Sequence, residues 1–258
     1  MTRYFIHLCF KGANYHGWQA QKNAVTVQQT IEQALNIFFR EPVPLTGCGR
    51  TDTGVHALSY YAHFDSLEIK DACNFLYHIN CLLPKDITIN GLLAAEPTSH
   101  ARFDAVSRTY TYRIITYKNP FLTDYAYFYP EPLDLDRMNE AAQILLEYTD
   151  FTSFSKLHTD TATNICRIME AGWTKTEGIY TFTIRADRFL RNMVRAITGT
   201  MIDIGRGKTT TEQLRSIIDR RDRCCAGFSV PAQGLALTQV LYPYPVPLPG
   251  FNHAMPVI

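Results

Sequence analysis

The chain has no run of about 18 apolar residues, the length a helix needs to cross a bilayer, so no membrane association is expected. Its opening, Met1-Thr2-Arg3-Tyr4-Phe5-Ile6-His7, lacks the long apolar core and cleavage site of a signal peptide and reads instead as a strand. The seven cysteines form no C-x-x-C pair, and their odd number with an adjacent Cys224-Cys225 argues against a disulfide framework. Reduced thiols and a cytoplasmic setting are therefore expected. The eight histidines are scattered without metal-ligand spacing, and no nucleotide-binding glycine pattern occurs, so neither metal nor cofactor is expected. Net charge is only +1, which argues against a protein that coats nucleic acid non-specifically but leaves room for a local basic groove. No internal repeat aligns.

What is present is an ordinary globular composition, 46% apolar and 19% charged over 258 residues, enough for one large domain or two small ones. Tyrosine and phenylalanine are abundant, at 15 each, and suit both half-buried sheet faces and surfaces on which bases stack. The most distinctive stretch is Leu45-Thr46-Gly47-Cys48-Gly49-Arg50-Thr51-Asp52-Thr53-Gly54-Val55-His56-Ala57. A strand would hardly survive its three glycines, so it is a shaped loop between apolar segments, with Arg50 two residues from Asp52. Either Asp52 bonds nearby backbone amides in an ordinary turn, or the loop presents its carboxylate for chemistry.

Alternation predicts strands over 3–10, 57–65, 87–94, 107–117, 165–174, 180–186 and 235–242. Thr26-Val27-Gln28-Gln29 has the form of a capping box opening a helix that ends before Pro42. Further helices are expected over 71–80, 135–146 and 211–218, and over 188–204 with Asp187 as N-cap. On that last helix Arg188, Arg191 and Arg195 fall at spacings of three and four, either a solvated stripe or a set of phosphate contacts. The loop Tyr15-His16-Gly17-Trp18-Gln19-Ala20-Gln21 carries aromatics that read as exposed. On the strand from Ser107, Tyr110 shares a face with Tyr112 and Ile114. The polar break at 97–105 divides the chain into an α+β half over 1–97, a second over 98–242, and a proline-rich tail over 243–258 without regular structure.

Several of these stretches line up with one family. Gly49-Arg50-Thr51-Asp52-Thr53-Gly54-Val55-His56-Ala57 closely resembles the active-site motif of the tRNA pseudouridine synthase A family, usually G-R-T-D-A-G-V-H. The 15–21 loop resembles its Y-x-G-W-Q-x-Q segment, and His100-Ala101-Arg102-Phe103-Asp104-Ala105 its H-A-R-F-x-A segment. Arg108-Thr109-Tyr110-Thr111-Tyr112, Asp150-Phe151-Thr152-Ser153-Phe154, Met193-Val194-Arg195-Ala196-Ile197-Thr198-Gly199 and Ala232-Gln233-Gly234-Leu235-Ala236-Leu237 follow in order. The resemblance spans about Tyr4 to Tyr242. Thr53 stands where the family usually has alanine, and Phe228 where it has proline or threonine.

The resemblance implies two ferredoxin-like α+β halves joined into one extended antiparallel or mixed sheet, with helices on one face and a central cleft. It implies a compact bacterial enzyme converting uridine to pseudouridine at positions 38, 39 and 40 of the tRNA anticodon stem-loop, acting as a homodimer without cofactor. It assigns Asp52 as the essential carboxylate, either attacking C1′ or removing the C2′ proton. Arg195 becomes the cation paired with Asp52, and Tyr110 the ring under the target base and acceptor of the C5 proton; its alternative is a core aromatic. Arg50 helps extrude the base, while Arg188 and Arg191 are candidates for tRNA phosphates. Trp18 and Gln19 either support the RNA groove or brace the loop. A non-catalytic tRNA-binding module on the same fold is the alternative. A glycoside hydrolase would need a second carboxylate in a shaped loop.

Overall fold

A computed structural model describes residues 1–156 and 163–247. Among these are nine strands and five α-helices in an α+β fold. The chain forms two compact units, one of residues 1–106 with the returning C-terminal segment from Leu237, the other Ser107–Ala236.

The first unit runs β1 (Thr2–Phe10), α1 (Val27–Phe39), β2 (Thr46–Gly47), β3 (His56–Ser66), α2 (Ala72–Leu82) and β4 (Ile87–Ala95). β1 is central, antiparallel to β3 on one side and β4 on the other. Tyr4 to Leu8 are all buried, because both faces of this strand are covered. On one face Phe64 meets Phe75 of α2 and Phe39 of α1, and Phe38 meets Phe75 edge-on. On the other, Phe5 stacks on His63 and receives Tyr242 edge-on. α1 starts where the capping box predicts: Thr26 accepts the Gln29 amide and donates to its side chain. It stops at Arg40, whose φ of 59° takes it out of the helix. Asp71 caps α2 by accepting the Asn74 amide.

The second unit contains β5 (Ser107–Ile115), β6 (Tyr127–Phe128), α3 (Leu135–Ile144), β7 (Ile168–Thr176), β8 (Ile179–Ala186), α4 (Met193–Gly205) and α5 (Thr211–Arg220). β8 lies between β5 and β7, antiparallel to both, and β6 runs parallel to β5. Glu177 and Gly178, at φ 52° and 80°, close the β7–β8 hairpin in the two-residue form that suits the strand twist. α4 is buried along most of its length. Gly199 lets α4 approach the Phe228 carbonyl, which a Cβ would meet at 1.8 Å.

The units are not the contiguous halves 1–97 and 98–242. Segment 98–105 packs on the first unit, where Ala101 donates its amide to His63 and accepts from the Tyr242 hydroxyl. Strand β9 (Leu235–Leu241) lies beside β3, and the Val106 amide donates to the Leu241 carbonyl. The local polarity at 97–105 marks a loop but not the unit to which it binds. Residues 243–247 form neither helix nor strand; the rest of the proline-rich tail, 248–258, lies outside the described residues.

Helix α4 also starts later than expected, at Met193 instead of Arg188. The Asp187 carboxylate accepts the amides of Arg167 and Arg188, a bridge back to the residue before β7 rather than a cap on a following turn. Asn192 then sits at φ 68°, which no helical residue adopts. The apolar spacing of Leu190 and Met193 runs through this break and conceals it.

Candidate active site

The Asp52 loop is built from backbone. Asp52 to Val55 make a tight turn in which the Val55 amide donates to the Asp52 carbonyl. Gly54 takes φ 79° at the third position, where a type II turn needs the left-handed region. The turn is closed by the main-chain oxygen, so its closure does not consume the Asp52 carboxylate. Thr53 is exposed at the second position, which accepts threonine as readily as alanine.

The 12–18 loop clamps this turn from beneath. Gly54 donates its amide to the Tyr15 carbonyl, and Trp18 donates to the Thr51 carbonyl. Gly12 donates to His56 Nδ1 at 3.0 Å, fixing a neutral imidazole with its other nitrogen protonated. Gly17, at φ 85°, passes so close that a Cβ would lie 2.3 Å from the Thr51 oxygen. The clamp is itself anchored. Val27 and Gln28, at the start of α1, donate to the Gly17 and Trp18 carbonyls. The Tyr15 hydroxyl donates to Asp86 at 2.6 Å, and burial followed by this bond pushes its pKa up.

Tyr15 and Trp18 are thus buried, 5% and 2% exposed, and not the surface aromatics that their glycine-punctuated loop suggests. Trp18 stacks on Tyr60 with centroids 4.1 Å apart, and the Tyr60 hydroxyl donates to the Gly49 carbonyl. Gly47 makes room for the pair, since its Cβ would fall 2.2 Å from the Tyr60 oxygen. Trp18 therefore braces the loop. Gln19 is exposed and accepts from Arg50 Nε at 3.1 Å, which orients an exposed guanidinium two residues from Asp52.

The second unit carries Tyr110, Arg188, Arg191 and Arg195. Tyr112 and Ile114 are buried on the face of β5 they share with Tyr110, and the Tyr112 hydroxyl donates to Pro231. Burial drives the Tyr112 pKa upward, and the nearby Arg195 charge opposes the rise. Tyr110 itself is only half-buried and meets Phe189 edge-on at 5.2 Å.

Arg195 lies in the first turn of α4, half-buried, with Nε donating to the Val230 carbonyl at 2.7 Å. The helical stripe of three arginines does not exist. Arg188 and Arg191 lie in the irregular segment before α4, Arg188 half-buried and Arg191 exposed, with its carbonyl accepting from Lys156. Sequence reasoning missed Tyr60, His56 and Gly17 as the holders of the Asp52 turn. The only available signal was their place within or near the two glycine-bearing motifs.

A family described as tRNA pseudouridine synthase matches residues 141–243. The tRNA pseudouridine synthase A of Parabacteroides distasonis is 54% identical over 244 residues, 94% of this chain and 97% of that protein. That of Bacteroides thetaiotaomicron is 53% identical over 246 residues, 94% and 91% of the two chains. A more distant relative of the same name, from Clostridium acetobutylicum, is 37% identical over 239 residues, 92% and 98% of the two chains. With a clamped carboxylate turn at its motif and likeness along nearly its whole length, the chain belongs to the tRNA pseudouridine synthase A family, isomerases that form pseudouridine in tRNA.

Proposed function

We propose that this chain isomerises uridines 38, 39 and 40 of the tRNA anticodon stem-loop, with Asp52 as the essential carboxylate. The observation that carries this reading is the turn at 52–55, which presents a carboxylate on a backbone held by three close-packed glycines, Gly12, Gly17 and Gly54, and by the amides of Trp18, Gly54 and Val55.

The reaction breaks the N1–C1′ bond, turns the base and joins C5 to C1′; the C5 proton leaves and N1 gains one. Asp52 either attacks C1′, with the detached base leaving as an anion, or removes the C2′ proton to give a glycal. Both routes need an ionised carboxylate in a site that excludes water. Arg195 is the cation assigned to keep it so, since an opposite charge within about 4–6 Å favours the ionised form. The Val230 carbonyl supports this role by fixing one edge of the guanidinium. Tyr110 is the ring on which the base turns and the acceptor of the C5 proton. Its half-buried position supports a face open to a ligand.

Arg50, held at its Nε by Gln19, enters the stem as the uridine leaves it. Extruding a stacked base costs a few kcal/mol, which such an insertion offsets. Arg188 and Arg191 are assigned to phosphates. The protein acts in the cytoplasm as a homodimer spanned by one tRNA. The small net charge supports a groove shared by two copies, since one copy has little excess positive charge to offer.

The test is release of tritium from C5-labelled uridine in a tRNA transcript. Release is expected with the wild type and none with Asp52→Asn, which still binds tRNA. Near-normal release by Asp52→Asn removes this residue from the mechanism. Mapping pseudouridine in the product tests the three positions, and light scattering tests the dimer.

A further inference from the structure

Segment 98–105 is held by more bonds than a connecting loop needs. The His100 amide donates to Asp104 Oδ2, which also accepts the Tyr244 hydroxyl, both at 2.7 Å. His100 Nδ1 accepts the amides of Arg102 and Phe103 at 3.1 and 3.3 Å. Ala101, fully buried, is fixed by His63 on one side and the Tyr242 hydroxyl on the other. Burial, with the Arg3 and His100 charges, lowers the His63 pKa to about 4, so this acceptor stays neutral at physiological pH.

All of this holds a turn whose two outward side chains are Arg102 and Phe103. Phe103 leaves 74% of its surface exposed. Its ring is backed by the His100 imidazole at 4.3 Å, and the Arg102 guanidinium lies 5.5 Å from its centroid. A ring that is mostly exposed, backed by an imidazole and overlain by a guanidinium is poorly explained by packing. It suits a nucleobase, which stacks on the ring while its phosphate meets the guanidinium. The turn is anchored on β3 at His63, seven residues beyond His56, or roughly 23 Å at ~3.3 Å per residue. Phe103 is thus anchored toward the end of β3 remote from the Asp52 turn.

We propose that Arg102 and Phe103 form a second nucleotide platform, which stacks one base of the tRNA away from the modified position and so helps to set its register. The proposal rests on the reading of tRNA as substrate. Because the turn is fixed before binding, little ordering cost opposes the contact.

The experiment measures tRNA affinity by anisotropy for the wild type, Phe103→Ala, Phe103→Trp and Arg102→Ala. Phe103→Ala is expected to bind about tenfold more weakly, within the range of one lost base stack, with unchanged melting temperature and oligomeric state. Phe103→Trp is expected to keep wild-type affinity, and its exposed indole to be quenched by saturating tRNA beyond any change in the wild type. Arg102→Ala is expected to flatten the logarithmic salt dependence by about one unit. Equal binding by wild type and Phe103→Ala overturns the platform and leaves the activity intact. An unquenched indole overturns it too, and a change of oligomeric state in Phe103→Ala assigns the side chain to a second copy instead. Failure of the wild type to bind tRNA would instead overturn the substrate reading on which the platform depends.

Discussion

The Asp52 turn and the segment 187–192 are both short irregular stretches that carry proposed site residues, and they are stabilised with a different balance of backbone and side-chain contacts. The Asp52 turn is fixed by glycines that let backbone touch backbone: Gly12 and Gly17 from one loop, Gly54 within the turn itself. Segment 187–192 leans more on side chains, with the Asp187 carboxylate on two amides and the Asn192 amide on Ser229, beside backbone bonds from Asp187 to Arg167 and from Lys156 to Arg191. The first kind of loop announces itself, because closely spaced glycines are incompatible with a strand. The second does not, since Asp and Asn also cap helices and the flanking leucine and methionine keep a helical spacing. Backbone-built turns are thus more legible than side-chain-built ones, and they should also tolerate substitution less.

The largest expected effect tests that last claim. Gly17→Ala meets both a left-handed φ and a Cβ contact of 2.3 Å with the Thr51 oxygen, so the Asp52 turn must move. We expect a loss of about 2–4 kcal/mol in urea unfolding. Tritium release should fall by about 100-fold, as a displacement near 1 Å can cost that much. Gly49→Ala is the control: nothing lies within 4 Å of the place its Cβ would take, and stability should change by less than about 0.5 kcal/mol. If the two variants behave alike, glycine packing is not what holds the turn.

Next comes the side-chain-built segment. Asn192→Ala places a Cβ-bearing residue without local hydrogen bonding at φ 68° and removes the bond to Ser229. These add to about 2 kcal/mol. Asn192→Gly restores the backbone freedom and should cost about 1 kcal/mol, the hydrogen bond alone. Equal losses in the two variants would show that the left-handed backbone is not what ends the segment and starts α4.

The same distinction explains what can be read from the chain alone. Strands such as β1, β5 and β8, and helices α1 and α5, are legible because periodicity and termini agree. Thr26 with Gln29 and Thr210 with Gln213 cap their helices, and Glu177-Gly178 turns the hairpin. β2 and β6, of two residues each, have no pattern to read and exist only through their pairing with β3 and β5. Asp52 and Arg50 stand out in a motif, yet the motif says nothing of how the turn is held. The burial of Trp18 is not legible, because loop composition does not reveal which way an aromatic points. Its pocket is made by Gly47 and Tyr60, about thirty and forty residues away in the chain. Spacing alone puts Arg188 and Arg191 on a helix, and spacing is blind to one residue at positive φ.

The smallest expected effect sharpens the comparison from inside the first loop. Tyr60 contributes both a ring under Trp18 and a hydroxyl to the Gly49 carbonyl. Tyr60→Phe keeps the ring and deletes the hydroxyl, leaving a carbonyl that sits in a half-buried position. If backbone and packing hold the Asp52 turn, the variant loses about 1 kcal/mol, the usual net worth of one hydrogen bond, and tritium release changes less than about threefold. If instead release falls as far as in Gly17→Ala while stability barely moves, the hydroxyl positions the strand that leads into Arg50 and Asp52. The turn would then share the side-chain dependence of segment 187–192, and the difference between the two loops would be one of degree.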